Sequence, residues 1–410
     1  MILESKPLHY RRATQMHQLA ALLQLPQSEQ QRLGILYTPH EISGQADAWP
    51  STLSVIEEHA KEIRSFLEAR GLRGPRNARP AISLIGAGTS DYIGRCICGL
   101  FRQCWDCDVD VTPSTSVLSS FSDFLVPEKS RIWISISRSG NSPEGVAVLQ
   151  RALSDHPEIS HIVISCDETG NMTQQIQGRS NCLSILLRPE TNDKGLAMTA
   201  SFTNMVICGQ ALANLWNLDS YREILTVLCE AAPLFLSNAS ELAASLAKRK
   251  FARACFLGSG VLAGVASESA LKLLELTAGR IKTMSETTLG LRHGPMAALD
   301  RDTILIQFLS TDETRRRYEL DLLHEIESKG LVALTIAVNG AETCELPNLD
   351  STHLLAPDRW GSIPDFYRPV LDIMFGQCLG LFASLEVGLT PDTPSPTGAI
   401  NRVVPAFEIH

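Results

Sequence analysis

The stretch Arg131-Ile-Trp-Ile-Ser-Ile-Ser-Arg-Ser-Gly-Asn-Ser-Pro-Glu144 decides the fold. Arg131 to Ile136 is a short, mostly apolar run of the kind that forms a buried strand. Pro143 suits a first helical turn and Ser142 suits the N-cap before it. Strand and helix are joined by Ser137, Arg138, Ser139 and Gly140, so three hydroxyls and a glycine stand at a helix N-terminus. Such a loop can surround a phosphate dianion with neutral donors. The plainer alternative is a serine-rich turn with a good cap.

Outward from this stretch the same alternation continues in both directions. Ala81-Ile-Ser-Leu-Ile85 is a strand that runs into Gly86-Ala-Gly-Thr-Ser90. Asp108–Val111, His161–Ser165 and Cys182–Leu187 are further strands, with helical patterns such as Pro143–Leu153 between them. Apolar strands alternating with helices imply a parallel sheet covered on both faces. Thr89 and Ser90 would then share the carboxyl edge of that sheet with the Ser137–Ser142 loop. The pattern repeats at Arg253–Leu257, which runs into Gly258-Ser-Gly260, and at Thr303–Leu309 and Leu331–Ala337. Val261-Leu262 follows this second glycine turn without hydroxyls, so only the first half reads as built for phosphate.

The expected architecture is α/β, with two doubly wound parallel-sheet domains. An N-terminal helical segment covers 1–70, the first domain 71–225, the second 226–390, and an extended tail 391–410. In the N-terminal segment, Met16–Leu36 has helical spacing and Pro39 and Pro50 punctuate it. A helix follows Trp49-Pro50 with Ser51 or Thr52 as its N-cap. Gly71–Pro80 reads as a linker.

Composition narrows the function classes. The 410 residues carry 36 Lys and Arg against 45 Asp and Glu, a net charge of −9, and only 6% aromatics. An acidic chain without a basic block or stacking aromatics is a poor nucleic-acid binder. The start, MILESKPLHYRRATQ, lacks the apolar core of a signal peptide. The longest apolar segment, Val370–Leu389, contains Asp372, Gln377 and Glu386 and reads as a buried helix rather than a membrane span. The expected location is therefore cytoplasmic. Of 11 cysteines only Cys104-x-x-Cys107 has a metal-like gap, and no second pair completes a site. The cysteines are read as structural thiols, and neither a metal nor a cofactor is expected. A nicotinamide site is disfavoured because Asp91 stands where a dinucleotide loop requires its third glycine, although Asp108 lies at ribose-contact distance.

Two further groups could carry chemistry. Glu268, Lys272 and Glu275 are four and three residues apart and share one helix face. A solvated charged stripe and a carboxylate base tuned by a lysine are both compatible with that spacing. His293 lies between Arg292 and Gly294-Pro295, on a loop, where catalytic residues concentrate.

Together these segments resemble the sugar isomerase (SIS) domain family, whose members bind phosphosugars. GAGTS and SRSGNSPE are similar to its phosphate-contacting segments. ESALKLLELTAG and LRHGP resemble the catalytic half of the isomerase domain of glucosamine-6-phosphate synthase. The strings Leu257-Gly-Ser-Gly260, Tyr318-Glu-Leu-Asp-Leu-Leu323, Thr390-Pro-Asp-Thr-Pro-Ser395 and Asn401-Arg-Val-Val404 are closest to the AgaS group. The resemblance covers the chain from about residue 50 to 410.

The resemblance implies a set of roles. Thr89, Ser90, Ser137, Arg138, Ser139 and Ser142 would hold a 6-phosphate. Glu275 would move a proton between C2 and C1, with Glu268 and Lys272 around it. His293 would assist ring opening, reaching the site of a neighbouring subunit. Asn401 and Arg402 would belong to a tail that closes over the sugar. Two departures from the synthase stand out: the gap between Glu275 and His293 is slightly longer, and Arg402 lies near the place of a lysine. No glutamine-hydrolysing domain is read in the first 70 residues, which favours releasing ammonia over incorporating it. The implied activity is hydrolytic deamination and isomerisation of an amino-sugar 6-phosphate, galactosamine-6-phosphate to tagatose-6-phosphate plus ammonia. A tagatose-6-phosphate ketose/aldose isomerase and a noncatalytic phosphosugar-binding regulator are the alternatives. Retention of Glu275 and His293 and the lack of a helix-turn-helix segment weigh against the regulator. A shared His293 further implies a homodimer or larger even homo-oligomer, with no nucleic-acid or membrane partner.

Overall fold

The computed structural model describes residues 17–125, 129–339, 352–355 and 363–410. The start of the expected N-terminal segment, residues 1–16, lies outside them. The chain divides into two compact units. One comprises the described parts of 1–43, 194–197 and 227–399, and the other 44–193, 198–226 and 400–410.

The second of these carries a parallel sheet of β1 (Ala81–Gly86), β2 (Val109–Pro113), β3 (Arg131–Ser137), β4 (Ser160–Ser165) and β5 (Cys182–Leu186) in the order β2-β1-β3-β4-β5. β1, β3 and β4 are buried along their whole length, as strands covered on both faces must be. Helices Thr89–Trp105 and Pro143–Asp155 follow β1 and β3. Trp49–Glu68 packs in this unit too, with the Trp49 indole donating to Thr203 Oγ1 at 3.1 Å and Thr52 Oγ1 donating to Asn204 Oδ1 at 2.6 Å. That helix begins one turn earlier than expected. Ala48 is its N-cap, with Pro50 in the first turn, and Ser51 and Thr52 lie inside the helix.

The other unit repeats the plan with β6 (Arg253–Gly258), β7 (Lys282–Thr287), β8 (Thr303–Leu309), β9 (Leu334–Asn339) and β10 (Thr352–Leu355), in the order β10-β9-β8-β6-β7. Both sheets thus place their first strand between the second and the third, with the same topological switch point. β7 and β10 escape the sequence reading. β7 reads Lys-Thr-Met-Ser-Glu-Thr at a sheet edge and has no apolar run to mark it.

At the chain ends the units depart from the expected boundaries. Helices Gln18–Leu23, Gln27–Leu33 and Thr38–Gly44 start within the β6–β10 unit, whereas Trp49–Glu68 belongs to the β1–β5 unit. The tail divides between residues 399 and 400. A long-range cap explains part of this. The Asp392 carboxylate accepts from Thr38 N at 2.8 Å, Thr38 Oγ1 at 2.7 Å and Tyr37 N at 3.1 Å. An acidic residue more than 350 positions away therefore starts the Thr38–Gly44 helix, with Pro39 inside its first turn rather than interrupting it.

One described helix, Pro369–Glu386, is long and apolar enough to cross a membrane, and 89% of it is buried. It is a core helix. Cys104 and Cys107 are unpaired thiols, and burial pushes the Cys107 thiol up to about 11.

His161 on β4 provides a pH test of this core. Its ring is fully buried edge-on to Trp133, and neither ring nitrogen has a hydrogen-bond partner among the described residues. Burial, helped by the nearby Arg179 charge, pushes it down from 6.5 to about 4. Below pH 6.5 the unfolded chain takes up a proton that the folded chain refuses, so stability falls as the pH drops from 6.5 towards 4. Wild-type protein should lose about 2 kcal/mol between pH 7 and pH 5 from this residue. Urea unfolding at both pH values should show that loss shrinking in His161→Phe. An unchanged loss would remove His161 as its source.

Candidate active site

In the β1–β5 unit, the parallel register pairs Ala81 with Arg131 and Ile85 with Ser135. The loops after β1 and β3 consequently emerge side by side at the switch point, where α/β sheets bind ligands. Gly88 takes φ +55° and Gly140 φ +63°, left-handed conformations that a side chain would strain. Thr89, Ser90, Ser137 and Arg138 are buried, and Ser139 and Ser142 are half-buried.

Internal hydrogen bonds hold the Ser137–Ser142 loop in shape. Ser137 Oγ accepts from Gly140 N at 3.1 Å, and Ser139 Oγ accepts from Asn141 N at 3.2 Å. Gly140 O accepts from Met172 N at 2.9 Å. Ser142 occupies the N-cap of Pro143–Asp155 with extended backbone, but its side chain makes no capping hydrogen bond. The expected cap is thus positional only. Asp91 is buried and bridged to Arg95 at 2.8 Å, and Asp108 pairs with Lys129 at 2.6 Å.

The tail reaches this loop within the same unit. Arg138 Nη2 donates to the Arg402 carbonyl at 2.6 Å. Arg402 in turn donates through Nε to the Asp193 carbonyl at 2.8 Å and through Nη2 to Asn192 Oδ1 at 2.7 Å. Asn401, beside it, is exposed. Sequence reasoning missed Asp193, whose buried carboxylate accepts from the backbone of Thr199, Ala200 and Ser201 and from the Thr199 and Ser201 hydroxyls. It caps the helix Ala200–Ala213 from outside the local capping window, so no short motif reveals it.

The β6–β10 unit holds the carboxylate cluster. Helix Leu262–Leu276 places Glu268, Lys272 and Glu275 on one face, and burial rules out the solvated stripe. Glu268 and Lys272 are fully buried, while the Glu275 side chain keeps 23% of its exposure. Lys272 Nζ lies 2.6 Å from Glu275 Oε2 and 3.3 Å from Glu268 Oε1. Burial pushes the Lys272 ammonium down, but the two carboxylates outweigh it and the net shift is upward. The stripe is not a solvated face. It is a buried cation that fixes one reachable carboxylate.

Close packing sets this helix in place. A Cβ at Gly376, on Pro369–Glu386, would come within 2.6 Å of Ser269 Cβ. At Gly380 it would come within 3.1 Å of the Lys272 carbonyl. Only glycine lets the two backbones approach so closely.

His293 follows the short 3₁₀ turn Gly290–Arg292 and is exposed. Arg292 pairs with Glu325 at 3.0 Å and anchors the turn. Among the described residues the His293 ring makes no hydrogen bond to Glu275.

Two doubly wound parallel sheets, one with a serine phosphate-type loop and the other with a buried Glu–Lys–Glu helix, define a sugar isomerase-domain protein of the phosphosugar-isomerase class. No family model matches the chain. The chain is 35% identical over 376 residues to D-galactosamine-6-phosphate deaminase AgaS of Escherichia coli O157:H7, covering 91% of this chain and 95% of that protein. The crystal structure of tagatose-6-phosphate ketose/aldose isomerase from Escherichia coli superposes with a TM-score of 0.80 at 32% identity, covering 91% and 96% of the two chains. The C-terminal domain of glucosamine-fructose-6-phosphate aminotransferase from Francisella tularensis shares the fold, with a TM-score of 0.72 at 20% identity over 87% and 98%. The chain belongs to the AgaS family.

Proposed function

We propose that the protein deaminates and isomerises galactosamine-6-phosphate to tagatose-6-phosphate and ammonia. The observation that carries this reading is the Lys272 ion pair, which holds a reachable Glu275 carboxylate beside a buried cation. A proton-transfer base must be fixed and accessible at once.

In this reading the Ser137–Ser142 loop, with Thr89 and Ser90, binds the 6-phosphate, and that binding orients C1 and C2. His293 moves a proton between O5 and O1 as the ring opens. Glu275 takes the C2 proton, leaving an enolamine, exchanges it with solvent and delivers a proton to C1. The C2 iminium then adds water and expels ammonia, leaving the C2 ketone. Arg138 and Arg402 keep the tail against the phosphate loop. His293, exposed and not hydrogen-bonded to Glu275 in its own chain, serves the site of a second subunit, so the working protein is an even homo-oligomer. The setting is the cytoplasm.

The test is ammonia release from galactosamine-6-phosphate, coupled to glutamate dehydrogenase. Release is expected. Its absence, with interconversion of tagatose-6-phosphate and its aldose retained, would replace the deaminase with the plain isomerase. The enediol-type proton transfer is shared, so the structure of the carboxylate cluster serves either reaction.

A further inference from the structure

The β6–β10 unit has its own crevice at the carboxyl edge of its sheet. It measures about 240 Å³ and is lined by Ser259, Gly260, Thr287, Thr288, Leu289, Arg315 and Tyr318. Ser259 and Gly260 follow β6, Thr287 and Thr288 end β7, and Arg315 and Tyr318 lie on the helix Glu313–Ser328 after β8. The crevice therefore lies around the three strands that form the switch point of this sheet, the position the serine loop occupies in the other sheet. The backbone agrees as well: Gly260 takes φ +58°, close to the +55° of Gly88 at the matching turn.

We propose that this crevice is a second phosphate-monoester site, anchored by Arg315 and distinct from the Ser137–Ser142 loop. Arg315 lies over the Gly260 turn, with Nη1 3.5 Å from where a Cβ would stand. A guanidinium is the planar donor that suits phosphate oxygens. Its bond to Asp365, at 3.2 Å, uses only Nη1, and the side chain remains 43% exposed. Asp365 is itself supplied by Thr311 N at 2.8 Å, by the Ser310 hydroxyl at 2.5 Å and by Arg368 at 3.5 Å. Arg368 lies closer to Asp372, at 2.9 Å, and the buried Glu319 is hydrogen-bonded by Ser259, so Arg315 is the one cation among the residues lining the crevice. The hydroxyls are already ordered. Ser259 Oγ donates to Thr288 Oγ1 at 3.0 Å, which also accepts from Gln307 Nε2 at 3.1 Å. The sequence marked the Gly258-Ser-Gly260 turn but not Arg315, which lies 55 residues beyond Gly260 and is brought over the turn only by the fold.

The test titrates inorganic phosphate into the full-length protein and follows Tm, with chloride at matched ionic strength as the control. In Ser139→Ala/Ser142→Ala, which disables the first loop, a phosphate-dependent rise in Tm should persist. Adding Arg315→Ala should weaken the remaining response roughly tenfold or more in phosphate concentration. Because Arg315 also bridges Asp365, Ser259→Ala provides a second variant that leaves the bridge intact, and it should weaken the same response. No phosphate response in the loop variant, or one that survives both Arg315→Ala and Ser259→Ala, would overturn the proposal. A wild-type response that the loop substitutions leave untouched would instead count against phosphate binding at Ser139 and Ser142, so the two failures are distinguishable.

Discussion

Glu275→Gln is expected to lower kcat for ammonia release about a thousandfold, the scale of a lost general base. KM should change little, because the proposed phosphate contacts lie with the serine loops. The amide has nearly the shape of the carboxylate and can still accept a hydrogen bond from Lys272, now 2.6 Å from Oε2. What it cannot do is take the C2 proton. Incubation in D2O isolates that step: wild-type product should carry deuterium acquired from solvent at C1, and substrate recovered from the variant should show no exchange at C2. Normal turnover by Glu275→Gln would remove Glu275 as the base and return the buried cluster to a purely structural role.

Lys272→Met is expected to cost about 3–5 kcal/mol of stability, the range for breaking a buried ion pair by deleting one partner. Methionine fills much of the same volume, so the loss comes from charge. Glu268 would remain fully buried without the ammonium 3.3 Å away, and Glu275 would lose the contact that orients it. The pH dependence has a definite sign. The folded-state value of Lys272 is raised above its ordinary 10.5, so its contribution is complete below pH 10.5 and disappears as the pH climbs through the higher folded value. Urea unfolding of wild type and variant at pH 7 and pH 9 should therefore give the same difference. A difference under about 1 kcal/mol would mean that the pair behaves like an exposed salt bridge.

The two predictions concern residues whose spacing was plain and whose environment was not. Positions 268, 272 and 275 share a helix face on any reading of the sequence. Whether that face meets water depended on Pro369–Glu386, about a hundred residues further on, and on the glycines that let it approach. His293 shows the reverse case. Its loop position was visible from Gly290 and Gly294-Pro295, whereas the exposure of its ring was settled only by the fold. The partners of Arg402 were not legible either: its guanidinium binds Asn192 and the Asp193 carbonyl, while its own carbonyl takes the hydrogen bond from Arg138. β7 was missed because an exposed edge strand needs no apolar run.

By itself, the sequence determined the α/β class, the two repeated strand–glycine–helix junctions and the serine loop. These rest on local periodicity, on turn chemistry and on the few residue types that tolerate a left-handed turn. The tertiary structure alone decided that Lys272 is a buried cation rather than a surface one. It also decided that Asp392 starts a helix more than 350 residues away, and that Arg315 covers the second glycine turn. Each depends on the burial and pairing of groups far apart in the chain, and the free energy of a charge is set by its surroundings rather than by its neighbours in sequence.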